Sequence, residues 1–165
     1  MKFNPRIWFF LGFISCFLML STGAFFQFIM ELEPCPLCIS QRIAILILGI
    51  VFLMGAIHNP LEKGIKIYAI LGMIAALAGG GISIRHVWIQ NLPPDEVPEC
   101  GPGLGYIFEN FPIIETLKLM LNGTGECADV LWSFLGLSIP AWTLVAFLFL
   151  GIMSLVQIWN KPLNG

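Results

Sequence analysis

The stretch Pro34-Cys35-Pro36-Leu37-Cys38-Ile39-Ser40-Gln41-Arg42 lies between two long apolar segments of the chain. The first segment begins at Ile7 and the second ends near Ile57, and each holds about two dozen residues. A helix needs about 20 apolar residues to cross a bilayer, so both segments are long enough. Two thiols spaced as Cys-x-x-Cys can close into a disulfide, and a helix N-terminus stabilises a thiolate. The stretch therefore predicts a dithiol at a membrane surface.

Composition places the whole chain in one class. It has 165 residues, of which 11% are charged, and its mean hydropathy is +0.88. A soluble domain of this size does not need so apolar a surface, so we expect a polytopic membrane protein. Little polar sequence remains for a second unit, and we expect residues 1–165 to form a single membrane domain. No basic patch or nucleic-acid motif is present, so no nucleic-acid partner is expected.

The hydropathy pattern predicts an all-α fold, a four-helix transmembrane bundle. The predicted spans are residues 7–30, 39–57, 65–84 and 140–159, with connecting loops at 31–38 and 85–139. The first span is too long for a signal-peptide core, so we expect it to be retained. The apolar residues from Ile113 to Leu121 are too few to cross the bilayer and are interrupted by charges. They predict a short interfacial helix within the long second loop.

Charge sets the expected orientation of the bundle. Basic residues cluster on one predicted side: Lys2, Arg6, Lys63, Lys66 and Lys161. Acidic residues cluster on the other: Glu31, Glu33, Asp95, Glu96, Glu99, Glu109, Glu115, Glu126 and Asp129. Because lysine and arginine mark the cytoplasmic side, both termini are expected in the cytoplasm. In a bacterium, the two cysteine-bearing loops would then face the oxidising periplasm from the inner membrane.

Cysteine positions point to disulfide chemistry. Cys16 lies inside an apolar run and is expected to be a small buried hydrophobe. The other four, Cys35, Cys38, Cys100 and Cys127, lie in polar stretches beside the spans. Four cysteines allow three pairings, and the short first loop makes Cys35–Cys38 with Cys100–Cys127 the economical choice. Two pairs in series would form a relay, since thiol–disulfide exchange proceeds through mixed disulfides.

The energetics of such a relay constrain its final electron acceptor. A strong thioredoxin-fold oxidant has a potential of about −120 mV, against about −200 mV for an oxidising glutathione pool. Regenerating that oxidant from glutathione would run uphill by about 4 kcal/mol. A membrane quinone is a more oxidising acceptor of two electrons and two protons. Arg42, about one turn into the second span, is either a snorkelling anchor or a cation that stabilises a thiolate or an anionic ligand.

Several segments together resemble one known family. They are Gln27, Pro34-Cys35-Pro36-Leu37-Cys38-Ile39 with Arg42, Gly125-Glu126-Cys127-Ala128, and Trp132-Ser133-Phe134-Leu135-Gly136-Leu137-Ser138-Ile139-Pro140-Ala141-Trp142. With the four-helix layout and one long second loop, they make the chain similar to the bacterial disulfide bond formation protein B family. These proteins are quinone-dependent oxidases that recycle a periplasmic dithiol oxidase. The resemblance covers essentially the whole chain.

The resemblance implies a role for each site residue. Cys100 and Cys127 would form a loop disulfide that accepts electrons from a reduced, DsbA-like thioredoxin-fold oxidase, with Cys100 attacked first. Electrons would pass to Cys35–Cys38, and the Cys38 thiolate would donate to bound ubiquinone or menaquinone through a charge-transfer contact. Arg42 would stabilise the charges, and His86 matches a histidine that the family places near the quinone. The protein would act as a monomer in contact with membrane lipid.

Two features depart from the familiar family pattern. The segment around Cys100 is rich in proline and glycine, which affects the expected contacts with a partner. Gln41 precedes Arg42 where an acidic residue is familiar, so the charge balance at the site differs.

Three other interpretations account for some of these features. A structural zinc site is disfavoured because Cys100 and Cys127 are far apart in sequence, whereas such sites use compact pairs. A membrane scaffold with two structural disulfides would show the same cysteines but no redox cycling. A relative of vitamin K epoxide reductase would carry its redox pair in a late helix, whereas here the pair precedes the second helix.

Overall fold

The computed structural model describes residues 4–99 and 112–159. Five α-helices are present in these ranges: α1 (Pro5–Phe28), α2 (Pro36–His58), α3 (Glu62–Gln90), α4 (Ile113–Asn122) and α5 (Ile139–Trp159). A 3₁₀ turn spans Gly125–Cys127, and a two-residue hairpin pairs β1 (Ser133–Phe134) with β2 (Leu137–Ser138). Four helices, α1, α2, α3 and α5, are long and apolar enough to cross a membrane. The predicted all-α, four-helix architecture is confirmed.

The start of α2 differs from the prediction, and the difference places a thiol inside the helix. The span was expected to begin at residue 39, but the helix begins at Pro36. Proline suits the first helical position because it has no amide hydrogen to leave unpaired. Cys35 is the N-cap residue, and its Sγ accepts a hydrogen bond from the Cys38 amide at 3.4 Å. Cys38 therefore lies in the first turn of α2, outside the predicted 31–38 loop.

The end of α3 also differs from the prediction. The span was expected to end near Ile84, with a loop from Arg85, but the helix continues to Gln90. No proline or glycine interrupts these residues, and the first proline comes at Pro93. The Arg85 guanidinium lies 4.4 Å from the Trp88 ring, one helical turn away, and this cation–π contact stabilises the extension. The extra turns place His86 and Ile89 on a buried face.

The remaining differences at helix ends are small, at one to three residues. The first span, expected at residues 7–30, is α1 at Pro5–Phe28, where Asn4 caps the helix by accepting a hydrogen bond from the Arg6 amide. The third begins at Glu62 where residue 65 was expected, and the fourth begins at Ile139 where residue 140 was expected. The expected short helix in the second loop is present as α4.

Small residues let the helices pack closely. α3 packs mainly against α5, while α2 packs against both α1 and α3. A Cβ atom added at Gly79 of α3 would overlap the Phe147 ring of α5, and one added at Gly12 of α1 would lie 2.6 Å from Phe52. Such close approach is how membrane helices gain van der Waals contact in the absence of a hydrophobic driving force. Phe147 and Phe52 belong to the main buried cluster of the bundle.

A second, smaller buried cluster closes one end of the bundle. It joins Cys35 and Leu37 at the start of α2, Ile89 near the end of α3, and Cys127 of the 3₁₀ turn. Gly123 has a φ of +78°, and a Cβ added there would lie 2.7 Å from Ile89. A residue with a side chain would therefore be both strained and obstructed at this position. We call this region the thiol end of the bundle.

Candidate functional site

The dithiol at the start of α2 is closely spaced. Cys35 Sγ and Cys38 Sγ lie 3.2 Å apart, and both are free thiols in this structure. Cys35 is buried and Cys38 is half-buried. The helix start explains the spacing, because the N-cap residue and the third helical residue face each other across the first turn. A small movement of either side chain would bring the sulfurs to bonding distance, which is about 2.05 Å in a disulfide.

Cys127 comes to this dithiol from a distant part of the chain. It is fully buried in the 3₁₀ turn, and its Sγ lies within 4.8 Å of Cys35 Sγ and a ring nitrogen of His86. Hydrogen bonds hold the preceding segment against the helices. Ser40 donates to the Met120 carbonyl at 3.4 Å, and Arg85 donates to the Asn122 carbonyl at 3.3 Å. The structure thus brings one predicted loop cysteine directly to the predicted helix pair.

The environment of Cys127 favours its thiolate. The Cys35 thiol donates to Cys127 and, with the backbone amides of Leu37 and Thr124, lowers the pKa of Cys127 to about 6 despite burial. The Leu37 amide belongs to the first turn of α2, where amide hydrogens are free to donate. The same contact raises the pKa of Cys35 far above the ordinary thiol value. In the reduced protein Cys127 is therefore much more acidic than Cys35, and Cys35 keeps its proton.

His86 faces the thiols from α3. Its Nε2 lies 3.7 Å from Cys35 Sγ, and its Nδ1 lies 3.5 Å from the side-chain nitrogen of Gln41. Both His86 and Gln41 are almost fully buried. The resemblance implied a quinone-binding role for His86, but it does not belong to the lining of the large cavity described next. His86 lines a smaller neighbouring pocket together with Cys35 and Cys38.

A cavity of about 500 Å³ opens beside the dithiol. Its lining includes Cys38 and Arg42, and the other lining residues are mostly apolar. Aromatic rings form one wall, where Trp132 lies 5.1 Å from Phe26 and stacks on Phe134 at 5.9 Å between centroids. Volumes of about 300–1,000 Å³ with a few polar groups are typical of small-molecule sites. Flat, apolar ligands of one or two rings match this lining.

Arg42 is held at the edge of the cavity by α1. Its guanidinium donates to the Gln27 side-chain oxygen and, at 2.8 Å, to the Gly23 carbonyl. Both partners are neutral, so the positive charge remains available to a ligand or to a thiolate. Arg42 follows Cys38 by four residues, so the two side chains share one face of α2. This geometry favours the functional interpretation of Arg42 over a snorkelling anchor.

The two cysteines of the dithiol thus have different neighbours. Cys38 lines the large apolar cavity, whereas Cys35 contacts Cys127 and His86. A second pocket of only about 30 Å³ is lined by both cysteines of the dithiol and includes His86, Glu126 and Asp129 in its lining. Cys100, the fourth predicted site cysteine, lies outside the described residues. The sequence did not reveal the amides of Leu37 and Thr124 as partners of Cys127, since backbone donors carry no residue signature.

Fold and site together define a class of protein. A bundle of membrane-length helices holds a dithiol at a helix start, a third cysteine against one of its sulfurs, and an apolar cavity against the other. This arrangement belongs to a membrane protein of thiol–disulfide chemistry.

Comparison with known proteins gives the family. Residues 5–157 match the sequence model of the family described as disulfide bond formation protein DsbB. The chain is 59% identical over 158 residues to disulfide bond formation protein B of Nitrosococcus oceani, covering 96% of this chain and 94% of that one. It is also 59% identical over 157 residues to the protein of that name from Methylococcus capsulatus, covering 95% and 96%. The chain belongs to the DsbB family and is a disulfide bond formation protein.

Proposed function

We propose that this protein is a thiol:quinone oxidoreductase that reoxidises a DsbA-like, thioredoxin-fold dithiol oxidase. One observation carries the proposal. The dithiol lies between a buried cysteine from a distant loop and an apolar cavity lined by Arg42, a cation whose hydrogen-bond partners Gln27 and Gly23 are neutral. Cys35 faces the first and Cys38 faces the second. A purely structural disulfide needs neither an incoming thiolate nor a ligand cavity.

The first part of the relay runs between sulfurs. A thiolate of the reduced partner attacks Cys100 of a Cys100–Cys127 disulfide, so that a mixed disulfide forms and Cys127 leaves as a thiolate. Cys127 then attacks Cys35 of the Cys35–Cys38 disulfide, and Cys38 leaves as a thiolate. The lowered pKa of Cys127 suits its role as leaving group and attacker. The partner's second thiol attacks its own sulfur in the mixed disulfide, which oxidises the partner and frees Cys100.

The second part of the relay returns the dithiol to its oxidised state. Cys100 attacks Cys127 in the Cys35–Cys127 disulfide, which restores the loop disulfide and frees Cys35 beside Cys38. The residues lining the large cavity fit a quinone ring, with aromatic faces from Phe26 and Trp132 and a cation from Arg42. A bound quinone supplies an acceptor for two electrons and two protons. Cys38 presents its thiolate to the cavity, and Arg42 stabilises negative charge there.

The cellular setting is part of the same proposal. We place the protein in the bacterial inner membrane as a monomer, with both termini in the cytoplasm and the thiol end toward the periplasm. The asymmetry of basic and acidic residues supports this orientation. Ubiquinone and menaquinone both match the chemistry of the cavity.

The test is quinone reduction by the purified protein in the presence of a reduced periplasmic thioredoxin-fold oxidase. We expect turnover in the parent and in Cys16→Ala, since Cys16 is buried within the bundle core. Cys38→Ser should abolish turnover. In Cys127→Ser, Cys100 has no loop cysteine to pair with, so when the oxidised partner is added, the Cys100 thiolate should attack the partner's disulfide and accumulate a mixed disulfide between Cys100 and the partner. A partner trapped at Cys38 instead would contradict the order of the relay. Absence of turnover with every quinone would support structural disulfides.

A further inference from the structure

The thiol end of the bundle also brings together side chains that can coordinate a metal ion, which disulfide exchange does not need. Cys35 Sγ, Cys127 Sγ and a ring nitrogen of His86 all lie within 4.8 Å of one another, and all three residues are buried. They come from the α2 N-cap, the 3₁₀ turn and α3. A disulfide relay uses sulfur atoms alone, whereas two thiolates with one imidazole are a common ligand set for Zn²⁺.

We propose that the reduced protein binds a thiophilic divalent cation such as Zn²⁺ through Cys35, Cys127 and His86, and that the bound cation blocks the thiol relay. The binding half of this proposal stands on the ligand geometry. The inhibitory half rests on the proposed function.

Distances between the ligand atoms are close to those of a tetrahedral site. Zinc lies about 2.3 Å from thiolate sulfur and about 2.0 Å from imidazole nitrogen, which places neighbouring ligand atoms roughly 3.5–3.8 Å apart. Cys35 Sγ and His86 Nε2 are 3.7 Å apart. Cys38 Sγ, 3.2 Å from Cys35 Sγ, is the nearest additional thiol and the candidate fourth ligand. Cys35, Cys127 and His86 need only a small contraction, while Cys38 Sγ would move slightly away from Cys35 Sγ to join them.

Charge and proton balance also suit a divalent cation. Two thiolates and a neutral imidazole cancel the charge of the cation, so no net charge is buried. As the two sulfur–metal bonds form, Cys35 and Cys127 release any remaining thiol protons to solvent. If Cys38 joins as a thiolate, the nearby guanidinium of Arg42 offsets the extra negative charge. No oxidation or reduction takes place in this binding step.

The surroundings supply an outer shell and an approach route. When the cation occupies Nε2 of His86, Nδ1 carries the proton and needs an acceptor. Gln41 lies at that nitrogen, and its amide can present oxygen by turning over, because the two amide orientations have the same shape. The small pocket lined by Cys35 and His86 also includes the carboxyl groups of Glu126 and Asp129. These acidic groups attract cations toward the cluster.

Binding should depend on the redox state of the protein. A disulfide that includes Cys35 removes one thiolate and leaves too few ligands for tight binding. The cation would therefore bind only to the reduced protein. There it would coordinate both Cys127, the attacking sulfur of the relay, and Cys35, the sulfur that Cys127 attacks. Sequence alone disfavours a zinc site here because the cysteines are far apart. The fold removes that objection by packing the 3₁₀ turn onto α2 and α3.

The experiment titrates Cd²⁺ into the full-length protein in detergent and follows the ultraviolet charge-transfer band of cadmium–thiolate bonds. Zn²⁺ is then added as a competitor. We expect one tightly bound equivalent in the reduced protein and none in the oxidised protein. His86→Gln should weaken binding about tenfold or more, and Cys127→Ser should weaken it further. Cys16→Ala is the matched control, because it removes a buried thiol outside the cluster.

X-ray absorption spectra of the zinc-loaded, reduced parent provide a readout that needs no variant. We expect a first shell of sulfur atoms with one imidazole nitrogen. A shell without nitrogen, equal binding by the oxidised protein, or unchanged binding in both cluster variants would overturn the proposed site. Quinone turnover should fall as Zn²⁺ is added. If the zinc-free protein shows no turnover, the proposed function fails, while the cadmium titration still decides the metal site.

Discussion

The lowered pKa of Cys127 leads to a prediction that can be tested on the reduced protein. With a pKa of about 6, Cys127 is about nine-tenths thiolate at pH 7. A thiol at the reference value of 9.0 would be about 1% thiolate at that pH. The reactive fraction is thus raised by nearly two orders of magnitude. The largest cause is the hydrogen bond from the Cys35 thiol, followed in the same direction by the Leu37 and Thr124 amides.

Removing the donor is the corresponding perturbation. In Cys35→Ala, the amides of Leu37 and Thr124 remain while the thiol is lost, and burial still opposes the charged form. We expect the pKa of Cys127 to rise by about one unit or more, as is typical when a hydrogen bond to a charged group is removed. The thiolate fraction of Cys127 at pH 7 would then fall to about half or less.

The assay is the pH profile of alkylation at Cys127, read by peptide mass spectrometry after treating the reduced protein with a small alkylating reagent. Burial slows access and lowers the plateau rate, but it does not move the midpoint of the profile. We expect a midpoint near pH 6 in the parent and in Cys16→Ala, and a higher one in Cys35→Ala. A parent midpoint near 9, or no change in Cys35→Ala, would refute the assigned charge distribution.

Three further predictions concern the cavity and the packing of the helices. Arg42→Ala should raise the KM for quinone about tenfold, since a charge-assisted hydrogen bond is worth roughly 1.5–3 kcal/mol, and partner binding should be unchanged. An unaltered quinone dependence would remove Arg42 from the site. Gly79→Ala should destabilise the bundle by about 1–3 kcal/mol through overlap with α5, whereas Gly81→Ala, with open space around it, should not. Thermal unfolding in detergent compares the two variants. Gly123→Ala should slow formation of the disulfide between the loop and α2, as rapid acid quenching would show. Gly136 has the same φ of +78° as Gly123, but a Cβ added there would have no neighbours within 4 Å. Gly136→Ala should therefore show no slowing, and equal effects of the two variants would contradict the packing argument.

Local sequence features anticipate much of the membrane architecture. The apolar spans are detectable because a bilayer demands continuous runs of a set length, and α1, α2, α3 and α5 follow from that demand. Pro36 and the Cys-x-x-Cys spacing point to a dithiol at a helix start. Helix ends are less predictable, since the hydrophobicity of the chain falls off before helicity does. Thus α3 continues from Ile84 to Gln90 although its residues become polar.

The individual chemistry of the two dithiol sulfurs follows only from tertiary packing. Sequence places Cys35 and Cys38 in one motif but does not distinguish their neighbours. The extension of α3 brings His86 to Cys35, and the docking of the 3₁₀ turn buries Cys127 against the same sulfur. The aromatic wall forms because Phe26 of α1 meets Trp132, more than a hundred residues later in the chain.

Sequence by itself therefore determined the class of the protein, its four spans and the position of its dithiol, because these depend on hydrophobic length and on local backbone chemistry. The tertiary structure decided which sulfur faces the cavity and which faces the incoming cysteine. The physical reason is that these contacts join residues distant in the chain. Their strength depends on burial and on backbone donors such as the Leu37 amide, which any residue but proline could supply.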